Sequence, residues 1–317
     1  MEQCDTDPSQ LYRERFECSG PVEVDVDLGA GRLDVQLEPE APEPETARPE
    51  TRAAELTVEI SPDPAAGPPW SSGITGLLSW LGEQAGAIPP SDMAAEAARR
   101  TMIDFTGHRL TVRTPQDIPL RAVPLTITVH APSGSSIIAR SAGGDVTVDG
   151  VADRLDVSTG TGQVRAQRCT GPVDVRTGSG NVRLGSVLGT LRVRTGSGLV
   201  DVVSLDTVGS LGNTGTVHTG TGDVRFGAVG CDLTARTGRG DLVVLDASAG
   251  RIELNSGSGQ LRVGIHAGVW AELDISSGSG AAHSELPVTG PPAEGTVPLR
   301  VKGRTGSGNA LVTAAPR

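Results

Sequence analysis

From Val146 onward, apolar residues recur in pairs two positions apart with a polar residue between them: Val146/Val148, Leu155/Val157, Val164/Ala166, Val173/Val175, Val182/Leu184, Leu191/Val193. Period-two alternation is the pattern of β-strands with one buried face, and the valine bias suits strands. Short glycine turns join alternate pairs: 159–162, 177–180, 195–198, 219–222, 237–240, 256–259, 277–280 and 305–308, each reading TGSG, TGTG, TGRG or SGSG. Their closing glycines are separated by 18, 18, 24, 18, 19, 21 and 28 residues, and SAGG at 141–144 ends 18 residues before the first. Each repeat is therefore strand, tight turn, strand, second turn.

Two strands per repeat suit either hairpins of an antiparallel sandwich or the two walls of one coil. The columns favour the coil. Two residues after the closing glycine stand Val146, Val164, Val182, Val200, Val224, Leu242 and Leu261, and five before it Ala139, Val157, Val175, Val193, Val217, Ala235, Leu254 and Ile275. Such uniformity is expected when every repeat stacks on its own copy. The predicted fold is all-β: a single-stranded parallel β-solenoid (β-helix) of about 18-residue rungs, with a small helical insertion near the N-terminal end. The closing glycine, as Gly180 in TGSG, is expected at φ > 0. The threonine three residues before it (Thr159, Thr177, Thr195, Thr219, Thr237) has inward parity, where its hydroxyl can meet backbone groups.

Upstream, GPVEVDVDLGAGRLDVQL (20–37) reads as a degenerate first rung with LGAG in place of TGSG. The Pro/Glu run 38–51 is an extended loop, ELTVEI (55–60) is a strand, 103–105 and 109–114 form a hairpin about TGH, and PLTITVHAP (124–132) is a strand. Helix candidates occupy 71–86 and 91–100; the second has Ser91 as N-cap and Glu96/Arg100 as an i,i+4 pair. Four regions follow: a disordered N-terminus (1–15), a degenerate first rung with its Pro/Glu loop (16–60), a helical insertion or cap (61–102) and the solenoid repeats (103–313). A cap shields the end of a solenoid from edge pairing. Its sharper alternative is a partner-binding helix anchored by Leu77, Trp80 and Leu81.

Composition and charge narrow the function. Aromatics are 2% of the chain, so the core is built from Val, Leu, Ile and Ala. A net charge of −11 argues against a general nucleic-acid binder. No basic-then-apolar leader opens the sequence and no apolar run is long enough to span a bilayer, so the expectation is a cytoplasmic protein without an integral membrane segment. Four isolated cysteines, at 4, 18, 169 and 231, read as reduced structural thiols.

The glycine turns invite several chemistries. A P-loop or a dinucleotide fingerprint needs the loop to open a helix, whereas each turn here opens a strand. Calcium nonapeptides need a regular Asp, but Asp145, Gln163, Asn181, Leu199, Asp223, Asp241 and Gln260 follow the glycines. A polysaccharide-cutting β-helix needs clustered acids, for which Asp223 and Asp241 on adjacent rungs are the candidates. The histidines, at 108, 130, 218, 266 and 283, accompany no recognisable nucleophile. No catalytic, cofactor or metal residue is assigned. The outer columns carry Arg140, Ser158, Arg176, Arg194, His218, Arg236, Asn255 and Arg304 in one place and Asp156, Asp174, Glu253 and Asp274 in another. They read as a solvated face of mixed charge, with a basic stripe for a polyanion as the functional alternative.

VEVDVDLGAGRLDV together with repeated TGSGxVxV units resembles a bacterial "putative adhesin" family of β-strand-repeat proteins, a domain of unknown function common in actinobacteria. The resemblance covers 20–37 and 103–313; it implies a β-solenoid without family active-site residues, and the insertion at 61–100 departs from it. The expected role is a non-catalytic scaffold or interaction surface, not an enzyme and without cofactor. Its partner is another protein, or itself through self-association. The alternatives are a polysaccharide-acting β-helix enzyme and a self-assembling cytoplasmic structural protein.

Overall fold

The computed structural model describes residues 12–38, 54–63, 90–206, 214–287 and 297–316. The described chain is almost wholly β, with one α-helix, Pro90–Arg99. Two compact units divide it: Met1–Val151 with Thr159–Gly162, and Ala152–Ser158 with Gln163–Arg317.

In the second unit, one sheet holds Val164–Cys169, Val182–Val187, Val200–Leu205, Val224–Val229, Leu242–Ala247 and Leu261–Ile265 as successive parallel neighbours. The other sheet holds Val173–Ser179, Leu191–Ser197, Thr214–Thr221, Asp232–Arg239 and Gly250–Ser258 in the same manner. Register is kept column by column. Val164, Val182, Val200, Val224, Leu242 and Leu261 form one unbroken ladder, each at most 3% exposed. Cys169, Val187, Leu205, Val229, Ala247 and Ile265 form another buried ladder beside the second turn. Parallel strands need connections that cross between sheets, and the alternation of sequential strands between the two sheets supplies them.

Chain order and spatial order part at the end of this unit. Leu299–Ser307 pairs on one side with Gly250–Ser258 and on the other with Ala271–Ser277, so the last repeat in sequence lies inside the one before it. Ala310–Ala314 is likewise held between Leu261–Ile265 and Ala282–Ser284. Cross-strand charge contributes to this order, although Arg300 also faces Arg251 in register. Lys302 stands between Glu253 and Asp274, and Arg300 is bound to Glu272 at 3.1 Å; sequential stacking would place Glu253 directly against Asp274, a destabilising arrangement. Gly303 supplies the space, since a Cβ there would press on Ile275 and Leu261. Leu273 and Ile275, on the outermost strand, are only half-buried, unlike their counterparts Ile252 and Leu254.

The first unit uses the same device. Ala30–Glu38 lies between Pro124–Pro132 and Asp145–Ala152, and Glu23–Leu28 lies between Arg109–Arg113 and Ser136–Ser141. The first repeat is thus inserted between two later ones. Antiparallel strands close this unit: Met102–Thr106 against Arg109–Arg113 in one sheet, and Tyr12–Cys18 against Ala54–Pro62, which pairs antiparallel with Pro124–Pro132, in the other. The strand Tyr12–Cys18 takes in residues 12–15, which composition had placed in a disordered segment. The helix buries Ala97 and Ala98 beside Ala54–Pro62 and Leu120–Ala122, while Glu96 binds Arg99 at 2.9 Å and Arg100 at 2.6 Å. The helix candidate at 71–86 lies outside the described residues. No helix among the described residues is long and apolar enough to cross a membrane.

Candidate functional site

The glycine turns are built by contact with the neighbouring repeat. Gly198, Gly222, Gly240, Gly259 and Gly308 have φ between +131° and +156°, but Gly180 is not among the positive-φ residues, contrary to the expectation from its sequence. The shared requirement is steric. A Cβ on Gly162, which also lacks positive φ, would run into the Gly144 carbonyl, just as one on Gly240 would run into that of Gly222. At these glycine positions the stacked turns approach too closely for a Cβ.

Inward from the glycines runs a ladder of hydroxyls: Thr159, Thr177, Thr195, Thr219, Thr237, Ser256 and Thr305, each 5–7% exposed. Thr237 Oγ1–H donates to the carbonyl oxygens of Gly222 or Arg239 (3.2 and 3.0 Å), Ser256 Oγ–H to Gly240 (3.0 Å) and Thr305 Oγ1–H to Gly259 (2.9 Å). The hydroxyls thus bond backbone carbonyls of the corner from inside. Thr177 and Thr219 find no such partner in the structure.

The residue after the closing glycine also serves its neighbour. The Leu199 N–H donates to Asn181 Oδ1 at 2.9 Å, the Asp241 N–H to Asp223 Oδ1 at 2.8 Å and the Gln260 N–H to Asp241 Oδ1 at 2.7 Å. An amide does this as well as a carboxylate, which is why the column mixes Asn with Asp. Asp223 and Asp241 are thus brought together by backbone pairing, each holding the next repeat, and not as a facing acid pair. No group of three or more His, Cys, Asp or Glu among the described residues could hold a metal ion.

Cys18, Cys169 and Cys231 are free and buried. Burial pushes the Cys169 thiol up to about 12 and, aided by Asp206 and Asp232, the Cys231 thiol to about 11. Such thiols are poor nucleophiles.

The outer faces differ between the two sheets. In one, Arg165, Arg183, Asp201, Arg225, Val243 and Arg262 share a column, so an acid interrupts the bases. In the other, Arg176, Arg194, His218 and Arg236 stack without interruption, with Asn255 and Arg304 beyond. Two residues toward the strand start runs Asp174, Arg192, Thr216, Thr234, Glu253 and Lys302. The sequence reading noticed this second column by its acids; its middle is basic and hydroxylic. Arg192, and Arg239 on the corner side, were missed because each is alone of its charge in its column of the middle repeats. The candidate anchors Leu77, Trp80 and Leu81 lie outside the described residues.

A family model described as Toastrack DUF4097 matches residues 110–314, well over half of the 317-residue chain. No curated protein matches. Among solved structures, a "putative adhesin" from Bacteroides fragilis is similar at 10% identity and a TM-score of 0.39, over 95% of this chain and 97% of its own. A "putative cell adhesion protein" from Clostridium sporogenes follows at 8% identity and a TM-score of 0.23, over 96% and 99%. A "putative lipid binding protein" from Parabacteroides distasonis gives 10% and 0.32, over 96% and 95%.

Proposed function

The chain belongs to the Toastrack DUF4097 family, and from that premise we propose that it is a non-catalytic, adhesin-like interaction scaffold. In this reading the two sheets of the repeats are the walls of one parallel coil with a rung of about 18 residues, as the Val164↔Val182 and Val182↔Val200 pairings suggest. The observation that supports it best is the use made of the corner carboxylates. Asp223 and Asp241, the acids best placed for polysaccharide cleavage, accept backbone N–H groups of the following repeat at 2.8 and 2.7 Å. Their work is structural, and what the repeats present outward is a regular array of side chains.

The test incubates the purified chain with acidic and neutral polysaccharides and follows new reducing ends and unsaturated products. The expected result is no cleavage. Turnover that disappears in Asp223→Ala but not in Asp174→Ala would overturn the reading in favour of a β-helix enzyme.

One observation favours a second reading, self-assembly. Among the described residues Ala271–Ser277 pairs on one side alone, and its Leu273 and Ile275 are half-buried; an edge of this kind can accept another strand. Light scattering after size exclusion decides it, since a monomer at high concentration rules it out.

A further inference from the structure

We propose that the outer face of Leu191–Ser197, Thr214–Thr221 and Asp232–Arg239 is a binding strip for a linear acidic polysaccharide, gripped by Arg192, Arg194, Arg236 and Arg239 about a central His218. The proposal rests on the reading of the protein as a non-catalytic binder and gives that reading a surface and a ligand class.

The strip stands out from the rest of a chain whose net charge is −11. Arg194, His218 and Arg236 occupy the same column on neighbouring strands, so their Cα atoms follow one another at about 4.8 Å. Arg192 shares the face of Arg194, two residues away on one strand, and Arg239 lies in register with Thr221 and Ser197. The four arginines are exposed. Among the described residues none of them forms an ion pair, whereas Arg176, one strand away, is held by Asp174 at 2.7 Å. Acids stand at the margins: Asp174, Glu253, Asp232, whose Oδ1 accepts the Arg251 N–H at 2.8 Å, and, at the corner beyond Arg239, Asp223 and Asp241, whose Oδ1 atoms are engaged by the Asp241 and Gln260 N–H groups. Like charges stacked along a strand ladder are unfavourable without a counter-charge. Partial burial first, and then the neighbouring Arg236 and Arg194, lower the affinity of His218 for a proton.

The shape of the array selects the ligand. A set of guanidinium groups spread over three neighbouring strands, two of them in one column about His218, fits successive carboxylates or sulfates of an acidic chain, which arginine binds in bidentate fashion. Single-stranded nucleic acid asks for a row of aromatic stacking platforms, and the three strands carry no Phe, Tyr or Trp and one imidazole, His218. A membrane surface asks for apolar side chains beside the basic ones, and the polar neighbours in register here are Ser197, Thr216, Thr221 and Thr234.

The experiment titrates the full chain by calorimetry with heparin (sulfated), polygalacturonate (carboxylate only), neutral dextran and oligo-dT. Heparin or polygalacturonate should bind, with log Kd rising against log salt at a slope of about 3, set by release of counterions from about four contacts. The double substitution Arg194→Gln/Arg236→Gln should weaken binding at least ten-fold and lower that slope by about 1.5, with the thermal transition unchanged. Arg225→Gln/Arg262→Gln, on the opposite sheet, should bind as wild type. Histidine NMR should show the His218 pKa rising on addition of the bound glycan. Equal binding of dextran, wild-type affinity in Arg194→Gln/Arg236→Gln, tighter binding of oligo-dT, or no binding of either acidic glycan overturns the proposal. Cleavage of a glycan that still depends on these arginines would instead overturn the non-catalytic reading and leave the strip standing.

Discussion

Replacing Gly240 by alanine tests whether the glycine turns are steric corner pieces. Gly240 has φ +140°, a region that side chains avoid, and its Cβ would strike the Gly222 carbonyl. Backbone strain of this kind costs on the order of 1–3 kcal/mol, and overpacking against an immovable neighbour a further 1–3 kcal/mol or so. Relief by spreading the turns would stretch the bonds from the Gly222 N–H to Arg239 (2.8 Å) and from the Gly240 N–H to Ser258 (2.9 Å), each worth about 1 kcal/mol. The expected loss is therefore about 2–6 kcal/mol, the upper part of what single substitutions do. Gly268 is the control: its φ is +81°, but nothing lies within 4 Å of a Cβ placed there. Gly268→Ala should cost only about 1–2 kcal/mol. Stacked repeats need not unfold in one step, so hydrogen exchange of the amides in 214–247 should accompany urea unfolding followed by circular dichroism. Equal losses for the two variants, or exchange in 214–247 unchanged by Gly240→Ala, would refute the close-approach argument.

Other outcomes follow from the same structure. Lys302→Glu would set a third acid between Glu253 and Asp274; at about 0.2–1 kcal/mol per cross-strand pair, the outermost strand should loosen and limited proteolysis within 271–287 should speed up. Asp241→Ala should destabilise by about 1 kcal/mol through the lost acceptor of the Gln260 N–H, while Asp241→Asn should be close to neutral; chemical denaturation separates the two. His218 has its pKa held below the usual 6.5, first by burial and then by Arg236 and Arg194. The unfolded chain takes up that proton first as pH falls, so stability present above pH 6.5 is lost from there down to the folded pKa, and His218→Asn should flatten that part of a stability-against-pH curve. In a Cys4→Ser background, a thiol reagent at pH 8 should label the native chain far more slowly than the unfolded one, because Cys18, Cys169 and Cys231 are buried and their pKa values raised.

The strand content and the inward columns were legible because each repeat faces its own copy, so a position's burial is set locally. Val182 meets Val164 and Val200, and all three obey the same constraint. The order of repeats was not legible for the opposite reason. Whether Gly250–Ser258 accepts Ala271–Ser277 or Leu299–Ser307 depends on Lys302 relieving Glu253 and Asp274 and on the missing side chain at Gly303. Those are relations between residues tens of positions apart, and each strand taken alone shows an acceptable alternating pattern. The same holds for Asp25. Its sequence marks it as an outward acid beside Val24 and Val26, yet it is 6% exposed because Arg109 (2.6 Å) and Arg140 (3.2 Å) close over it from both neighbouring strands. The turns were half legible: glycine was recognised, but as a demand on φ, whereas at Gly162 the demand comes from a carbonyl one repeat away.

Charge on the outer face follows the same division. A column read down the sequence mixes Asp174, Arg192, Thr216, Thr234 and Glu253 and averages to neutral. Folding sorts that mixture in space. Asp174 is drawn to Arg176 on its own strand, at 2.7 Å, and Glu253 lies a strand beyond Thr234. The interval between them is left to Arg192, Arg194, His218, Arg236 and Arg239. An exposed Arg–Asp pair contributes little to stability, so binding Arg176 is weak cause for placing Asp174 where it is. Its consequence is clearer: it bounds the cationic face on one side as Glu253 does on the other. Bounded in this way, the proposed strip is a cationic patch on a chain whose net charge is −11. Such an arrangement favours alignment of a linear polymer along the ladder over general adhesion to charge.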